Sequence, residues 1–182
     1  MRVVGGKAKG LRLKGAVSPG TRSTTERVRA AIFNILDGEL YQEGRVLDLF
    51  AGSGSLGIEA LSRGAAWADF VEWDRRQCQV IRSNLEATGF SSSARVHSSD
   101  VHRSLGALEG EYQLVLLDPP YAMEGLDAVL ERLGTGLVAG CGMVVVGHSR
   151  FLDLRPEYGA LRRISRRSYG DNVVEFYQRD SK

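Results

Sequence analysis

The chain has 182 residues, 43% of them hydrophobic and 25% charged, with a formal net charge of +2. That is the make-up of one globular domain with a core of its own and at most a small appendage. No apolar run approaches the ~20 residues a membrane-spanning helix needs, and Met1-Arg2-Val3-Val4-Gly5-Gly6 turns polar and basic too soon for a secretory signal.

Residues 2–17 place Val3, Val4, Leu11 and Leu13 among basic residues and glycines, which predicts a short basic β-hairpin. Ser18-Pro19-Gly20 reads as a turn. A helix follows over about 24–37, with Val28, Ala31, Ile32, Ile35 and Leu36 on one face. Ser23 and Glu26 form a capping box at its start and Gly38 ends it. From Arg45 the chain alternates strands and helices. Strands are expected near 46–50, 68–72, 94–97, 112–117 and 137–147, with helices at 55–63, 75–88, 101–108 and 125–133. Apolar strands joined by helices make a doubly wound, mostly parallel α/β sheet that binds ligands at its strand C-termini. Residues 161–168 and 173–179 flank the polar turn Tyr169-Gly170-Asp171-Asn172 and predict a C-terminal antiparallel hairpin, for seven strands in all.

The charge is unevenly placed. Residues 1–30 sum to +7 and the remaining 152 to −5, and Arg162, Arg163, Arg166 and Arg167 form a second basic knot. A polyanion approached by the N-terminal segment fits this pattern. Cys78 and Cys141, like His97, His102 and His148, show no metal-ligand spacing, and a reducing cytoplasm fits them. Cys78 shares a helical face with Ile81 and Leu85 and reads as a buried apolar residue.

The stretch from Arg45 to Gly57 runs strand, glycine loop, helix N-terminus, a geometry that offers backbone N–H groups to a ligand. Gly52-x-Gly54-x-x-Gly57 matches the dinucleotide fingerprint, and Glu72 falls where an acid that binds a ribose belongs. Asp48, just before the loop, would repel a pyrophosphate but suits a cation such as the sulfonium and ammonium of S-adenosylmethionine (SAM); alternatively it caps loop N–H groups. A second constellation, Asp118-Pro119-Pro120-Tyr121, closes the fourth strand, where two prolines stop the sheet ladder and stiffen the tip. The Asp118 carboxylate and the Pro119 carbonyl can accept both hydrogens of an exocyclic amine, and Tyr121 offers a face for the base.

Taken together, Asp48-Leu49-Phe50-Ala51-Gly52-Ser53-Gly54 and Asp118-Pro119-Pro120-Tyr121 resemble a class I SAM-dependent amino-methyltransferase with a Rossmann-like fold. The run from Arg22 to Arg29, the run from Leu56 to Ala65 and the closing Tyr169-Gly170-Asp171 narrow the resemblance to the RsmD family, which methylates guanine N2 in small-subunit (16S) ribosomal RNA. It covers about residues 2–179. Ser23 stands where that family usually has proline, and the strand ending Val145-Val146-Gly147-His148 lacks a glutamate often found there.

The resemblance implies that Phe50, Gly52 and Gly54 line the SAM loop, that Glu72 binds the ribose hydroxyls, and that Asp100, helped by Val101, accepts the adenine amino group. Asp100 also suits a helix N-cap. Thr24 and Arg27 would lie over the methionine end, with phosphate an equal partner for Arg27. Phe70 and Trp73 would pack in the core and beside the adenine. Arg22, Arg27 and Arg29, with the N-terminal hairpin, would grip RNA phosphates. The domain reading is a basic extension over 1–22 and a methyltransferase domain over 23–182. The expected substrate is 16S ribosomal RNA, within an assembling small subunit, and the expected protein is a cytoplasmic monomer. The competing readings are a DNA adenine-N6 methyltransferase, a non-catalytic RNA-binding module and a nicotinamide dehydrogenase. The last explains neither the Asp-Pro-Pro-Tyr tip nor the C-terminal hairpin.

Overall fold

The computed structural model describes residues 1–15, 25–36, 38–121 and 123–181. The expected turn at Ser18-Pro19-Gly20, Arg22, Ser23 with its half of the capping box, and Thr24 lie outside the described residues.

The five strands β1 (Arg45–Leu49), β2 (Trp67–Glu72), β3 (Ala94–Ser98), β4 (Tyr112–Leu117) and β5 (Val138–Ser149) are parallel neighbours. They are followed by β6 (Glu157–Tyr158), β7 (Leu161–Tyr169) and β8 (Asn172–Arg179), and the sheet order is β3-β2-β1-β4-β5-β8-β7-β6. The expected C-terminal hairpin forms, with β8 antiparallel to both β5 and β7, but Tyr169 and Asn172 pair with each other, so its turn is the two residues Gly170-Asp171 rather than the four expected. The sheet has eight strands rather than seven. The extra one, β6, is two residues long and pairs only with the edge of β7, too short to leave a periodic signal.

Helices α1 (Glu26–Ile35), α3 (Ser55–Ser62) and α4 (Arg75–Thr88) pack on one face of the sheet, while α5 (Val101–Ala107) and α6 (Leu126–Arg132) pack on the other; a single turn, α2 (Gly38–Tyr41), precedes β1. Because β1 and β4 are covered on both faces, Val46, Leu47, Leu49, Leu114, Val115 and Leu116 are all fully buried. Each such side chain contributes about 1.5–3 kcal/mol by leaving water. Strand order reverses between β1 and β4, and the loops following both strands open at that switch point.

Two expectations about α1 need correction. Its N-cap is Thr25, whose hydroxyl accepts from the Val28 N–H. Glu26, the expected capping-box acid, instead accepts the backbone N–H of Arg2. Leu36 caps the C-terminus, and Gly38 opens α2 rather than ending α1. The N-terminal segment folds back on itself as expected, but its regular pairing is a single antiparallel bridge between Arg2 and Arg12. Val3, Ala8 and Leu13 are buried in the main core, so the segment is packed onto the domain. Among the described residues no helix is long and apolar enough to cross a membrane.

Candidate active site

At the end of β1 the backbone enters the left-handed region three times in five residues, at Phe50 (φ 57°), Gly52 (φ 55°) and Gly54 (φ 76°). This throws the chain into a tight loop before α3. Ala51 N–H donates to the Val71 carbonyl at 3.1 Å and Gly54 N–H to the Ala51 carbonyl at 2.7 Å, which fixes the loop between β1 and β2. Asp48, 1% exposed, accepts the Gly57 N–H with Oδ2 at 2.8 Å. Of its two readings, the structure displays the loop-holding one. Burial pushes the Asp48 carboxyl well above the ordinary range; the Gly57 N–H works against that rise, and the nearby Asp118 and Glu72 carboxylates add to it. The Asp118 and Glu72 carboxylates thus place negative charge beside the buried Asp48 at the C-terminal end of the sheet. This is an electrostatic setting that favours a cationic ligand over a pyrophosphate.

Gly57 is required by close approach. A Cβ there would lie 2.4 Å from Phe70 Cε1 and 3.1 Å from Asp48 Oδ2. Gly57→Ala must push α3 or the fully buried Phe70 aside, at a cost of about 1–3 kcal/mol, and shifts the loop that α3 anchors. SAM affinity is expected to fall at least tenfold, a change that titration calorimetry with the purified variant would read.

Glu72, at the end of β2 and 7% exposed, accepts Gly52 N–H at 2.9 Å with one oxygen and Asp74 N–H at 3.0 Å with the other. It ties the loop to the sheet edge where a ribose would lie, and two carboxylate oxygens retain lone pairs for hydroxyls. Trp73 is 73% exposed. Phe70 is the core residue of the expected pair; Trp73 points outward because it follows the last strand position, and its face is open to a planar ligand. Asp100 caps α5, accepting from His102 N–H at 2.9 Å and Arg103 N–H at 3.3 Å, and Val101 is buried behind it. The loop, the strand-end acid, the exposed indole and the Asp100–Val101 corner line the C-terminal ends of adjacent strands, and this donor and acceptor set fits SAM.

Asp118 follows β4. A Cβ on Gly147 would fall 3.1 Å from its Oδ1, so the carboxylate leans over the glycine of β5. Pro119 is buried, and the Pro120 carbonyl accepts the Met123 N–H at 2.9 Å, turning the chain away from the sheet. Tyr121 is 46% exposed and its hydroxyl donates to Asn172 Oδ1 at 3.4 Å. A narrow cleft beside the tip is lined by Val28 and Ile32 of α1, Leu56 of α3, Asp118, Gly147 and Asn172. The cleft therefore joins the glycine-loop helix, the Asp-Pro-Pro-Tyr tip and the C-terminal hairpin.

The family described as "Conserved hypothetical protein 95" matches residues 1–178. The chain belongs to this family. It is 38% identical over 183 residues to the "Putative rRNA methyltransferase YlbH" of Bacillus subtilis, covering 98% of this chain and 99% of that protein. It is 40% identical over 133 residues to "Ribosomal RNA small subunit methyltransferase D" of Escherichia coli K12, covering 73% of this chain and 66% of that one. Among solved structures, the "Putative methyltransferase yhhF" of Escherichia coli superposes with a TM-score of 0.87 at 33% identity, over 100% of this chain and 99% of that chain. The resemblance to the RsmD family and the class I methyltransferase fold both stand.

Against that family frame, several expected residues take other places. Arg29 is completely buried, 3.3 Å from Glu59, with its guanidinium also on the Arg2 carbonyl, so it holds the fold and grips no phosphate. Arg27 is exposed on α1. Arg162 pairs with Glu157 and Asp180, and Arg163 and Arg166 reach Glu175, so most of the second basic knot is neutralised within the hairpin. The exposed Lys7, Lys9, Arg12 and Lys14 keep the basic N-terminal face. Gly147, not His148, forms the cleft wall. His148 is 2% exposed on the opposite face, with Nδ1 2.8 Å from the Ser149 carbonyl and Nε2 3.4 Å from Glu175 Oε1. Asn172, expected only as the last residue of the polar turn, opens β8 and lines the cleft.

Glu175 is fully buried and accepts from Tyr177 Oη at 2.7 Å and Arg163 Nη1 at 3.0 Å. Burial alone would raise its pKa, but His148, Tyr177 and Arg163 together outweigh that and lower it to about 2. A carboxylate depressed from 4.5 to about 2 contributes stability that is present above pH 4.5 and lost as pH falls toward 2, at most about 3 kcal/mol. Acid unfolding of the wild type should steepen between pH 4.5 and 2. Glu175→Gln should flatten that limb while lowering stability at pH 7, as followed by denaturant melts across pH.

Proposed function

We propose that this protein transfers a methyl group from SAM to the exocyclic N2 amine of a guanine in small-subunit ribosomal RNA. The observation that carries the reading is the Asp118-Pro119-Pro120-Tyr121 tip at the β1/β4 switch point, sharing one cleft with the helix that follows the glycine loop. The family relationship to ribosomal RNA methyltransferases supports the substrate class.

SAM, when bound, supplies a methyl group on an electrophilic sulfonium. The residues expected to hold it are Asp48, Phe50, Gly52 and Gly54 of the loop, Glu72 on the ribose, Trp73 and Val101 beside the adenine, Asp100 on its amino group, and Thr24 and Arg27 toward the methionine end. The Asp118 carboxylate and Pro119 carbonyl accept the two amine hydrogens, which draws the nitrogen lone pair out of ring conjugation and aims it along one line. Pro120 stiffens the tip and Tyr121 stacks on the base. An amine and a sulfonium need little acid–base help, so alignment and this acceptor pair provide most of the acceleration. The target base must leave its stack, with the basic segment over 1–22 and Arg27 gripping the backbone while the domain over 23–182 performs the transfer. The substrate is RNA in an assembling small subunit, the working form is a monomer, and the cytoplasm is the location this substrate implies.

The test is transfer from labelled SAM into total RNA, DNA and small subunits taken from a strain lacking the enzyme, followed by nucleoside analysis. N2-methylguanosine in small-subunit RNA is the expected product. Label appearing as N6-methyladenine in DNA would overturn the substrate while keeping the amine chemistry. No label despite SAM binding would overturn both.

A further inference from the structure

Among the described residues Asn172 is the one carboxamide lining the cleft, and it enters from β8 beside the Asp-Pro-Pro-Tyr tip. Its position is fixed from two sides. Its backbone pairs with Ser149 of β5 and with Tyr169 of β7, closing the two-residue turn Gly170-Asp171. Across the rim, Arg150 N–H donates to the Asp171 carbonyl at 3.0 Å, and the Arg150 guanidinium stands 3.2 Å from the Asp171 carboxylate. The turn is therefore tied to the end of β5 and presents Asn172 on a rigid corner.

A carboxamide carries one acceptor and two donors. In this site the acceptor is engaged by the Tyr121 hydroxyl at 3.4 Å. Among the described residues Asn172 Nδ2 donates to none, which leaves its two donors for a ligand in the cleft. Asp118 and the Pro119 carbonyl are acceptors only and so recognise an amine; nothing in that pair reads the acceptor atoms of the same ring. Asn172 supplies the complementary half.

We infer that Asn172 is a base-contacting residue, donating from Nδ2 to a ring acceptor of the flipped base while its Oδ1 orients Tyr121 for stacking. The inference rests on the amino-methyltransferase reading of the Asp118 tip and adds a second point of recognition to it. Two points fix a planar base in its plane, where the tip alone would leave it free to pivot about the amine.

The experiment compares wild type, Asn172→Asp and Asn172→Ala on small subunits from a strain lacking the enzyme, with SAM titrated separately by calorimetry. Asn172→Asp retains an acceptor for the Tyr121 hydroxyl but loses both donors, so it separates base contact from the mere propping of Tyr121. Both variants are expected to lose at least tenfold in kcat/KM for the RNA, with SAM affinity within about twofold of wild type. Asn172→Asp working at half the wild-type efficiency or better would overturn the proposal, since holding Tyr121 would then be the whole role. A parallel loss of SAM affinity would also overturn it, by showing a general collapse of the rim. Should wild type itself place no label on guanine N2, the functional reading fails first, and the variants are not what reveals it.

Discussion

Asp118→Ala is expected to reduce methyl transfer by at least about a thousandfold while SAM binds within about threefold of wild type. The carboxylate belongs to the tip that follows β4, leaning over Gly147 into the cleft, whereas the loop expected to hold SAM is built by β1 and β2 through Asp48 and Glu72. Alanine removes the acceptor proposed to fix the amine and leaves the glycine-loop hydrogen bonds of Asp48 and Glu72 in place. Asp118→Asn keeps a carbonyl acceptor of the same reach and should recover part of the rate, so the pair separates loss of an acceptor from loss of a charge. Asp48→Asn makes the informative contrast. Its amide oxygen can still accept from Gly57, so the fold should survive, but the ionisable acid that burial and the neighbouring Asp118 and Glu72 act on is gone. There the loss should fall on SAM affinity rather than on rate at saturation. Single-turnover kinetics beside equilibrium titration would distinguish the two patterns. Equal losses of rate and SAM affinity in Asp118→Ala would show that Asp118 belongs to the cofactor site.

The elements legible in the sequence are those whose ends are decided locally. Helix α4 begins and ends where expected because Asp74 accepts the Arg76 N–H at one end and Gly89 adopts a left-handed conformation at the other. Strand β4 stops at Leu117 because Asp118 is followed by two prolines. Where a partner distant in sequence competes, local chemistry misleads. Glu26 has the spacing of a capping-box acid, yet it serves the Arg2 N–H, 24 residues away. Arg29 counts as one more positive charge in a basic segment, but its place on α1 points it at Glu59, and burial lowers its pKa against the pull of that carboxylate. The same holds for His148 and Asn172. Their side chains are sorted to opposite faces of the sheet by the register of β5 on β8, which no single-strand pattern encodes. The chemical tips of the site were readable because strand C-termini, glycines and prolines announce themselves; the walls between them were not.

Glu59→Ala is expected to destabilise the protein by about 3–5 kcal/mol and to weaken RNA binding without a matching loss of intrinsic SAM affinity. Glu59 is fully buried near the middle of α3 and all its acceptor capacity is in use. Oε1 takes Gly5 N–H at 2.7 Å and Arg63 Nε at 2.8 Å; Oε2 takes Val4 N–H at 2.8 Å and Arg29 Nε at 3.3 Å. Removing it leaves the buried Arg29 guanidinium without its countercharge and two backbone donors without partners, a combination whose cost greatly exceeds that of a surface ion pair. The segment it clamps approaches α3 so closely that a Cβ on Gly6 would sit 1.8 Å from the Ser62 carbonyl oxygen. The clamp is therefore specific in position as well as in charge. The exposed Lys7, Lys9 and Arg12 ride on this segment, so its release should raise the KM for RNA at least tenfold and flatten the salt dependence of binding. Denaturant melts read the first effect, and filter binding across a salt series reads the second. Glu59→Leu combined with Arg29→Met removes the fully buried pair together, leaving the partly exposed Arg63 to solvent, and should recover much of the stability. It leaves Val4 and Gly5 without their acceptor, so RNA affinity should stay low. Recovery of RNA binding along with stability would show that the basic segment finds its place through apolar packing of Val3, Ala8 and Leu13 alone.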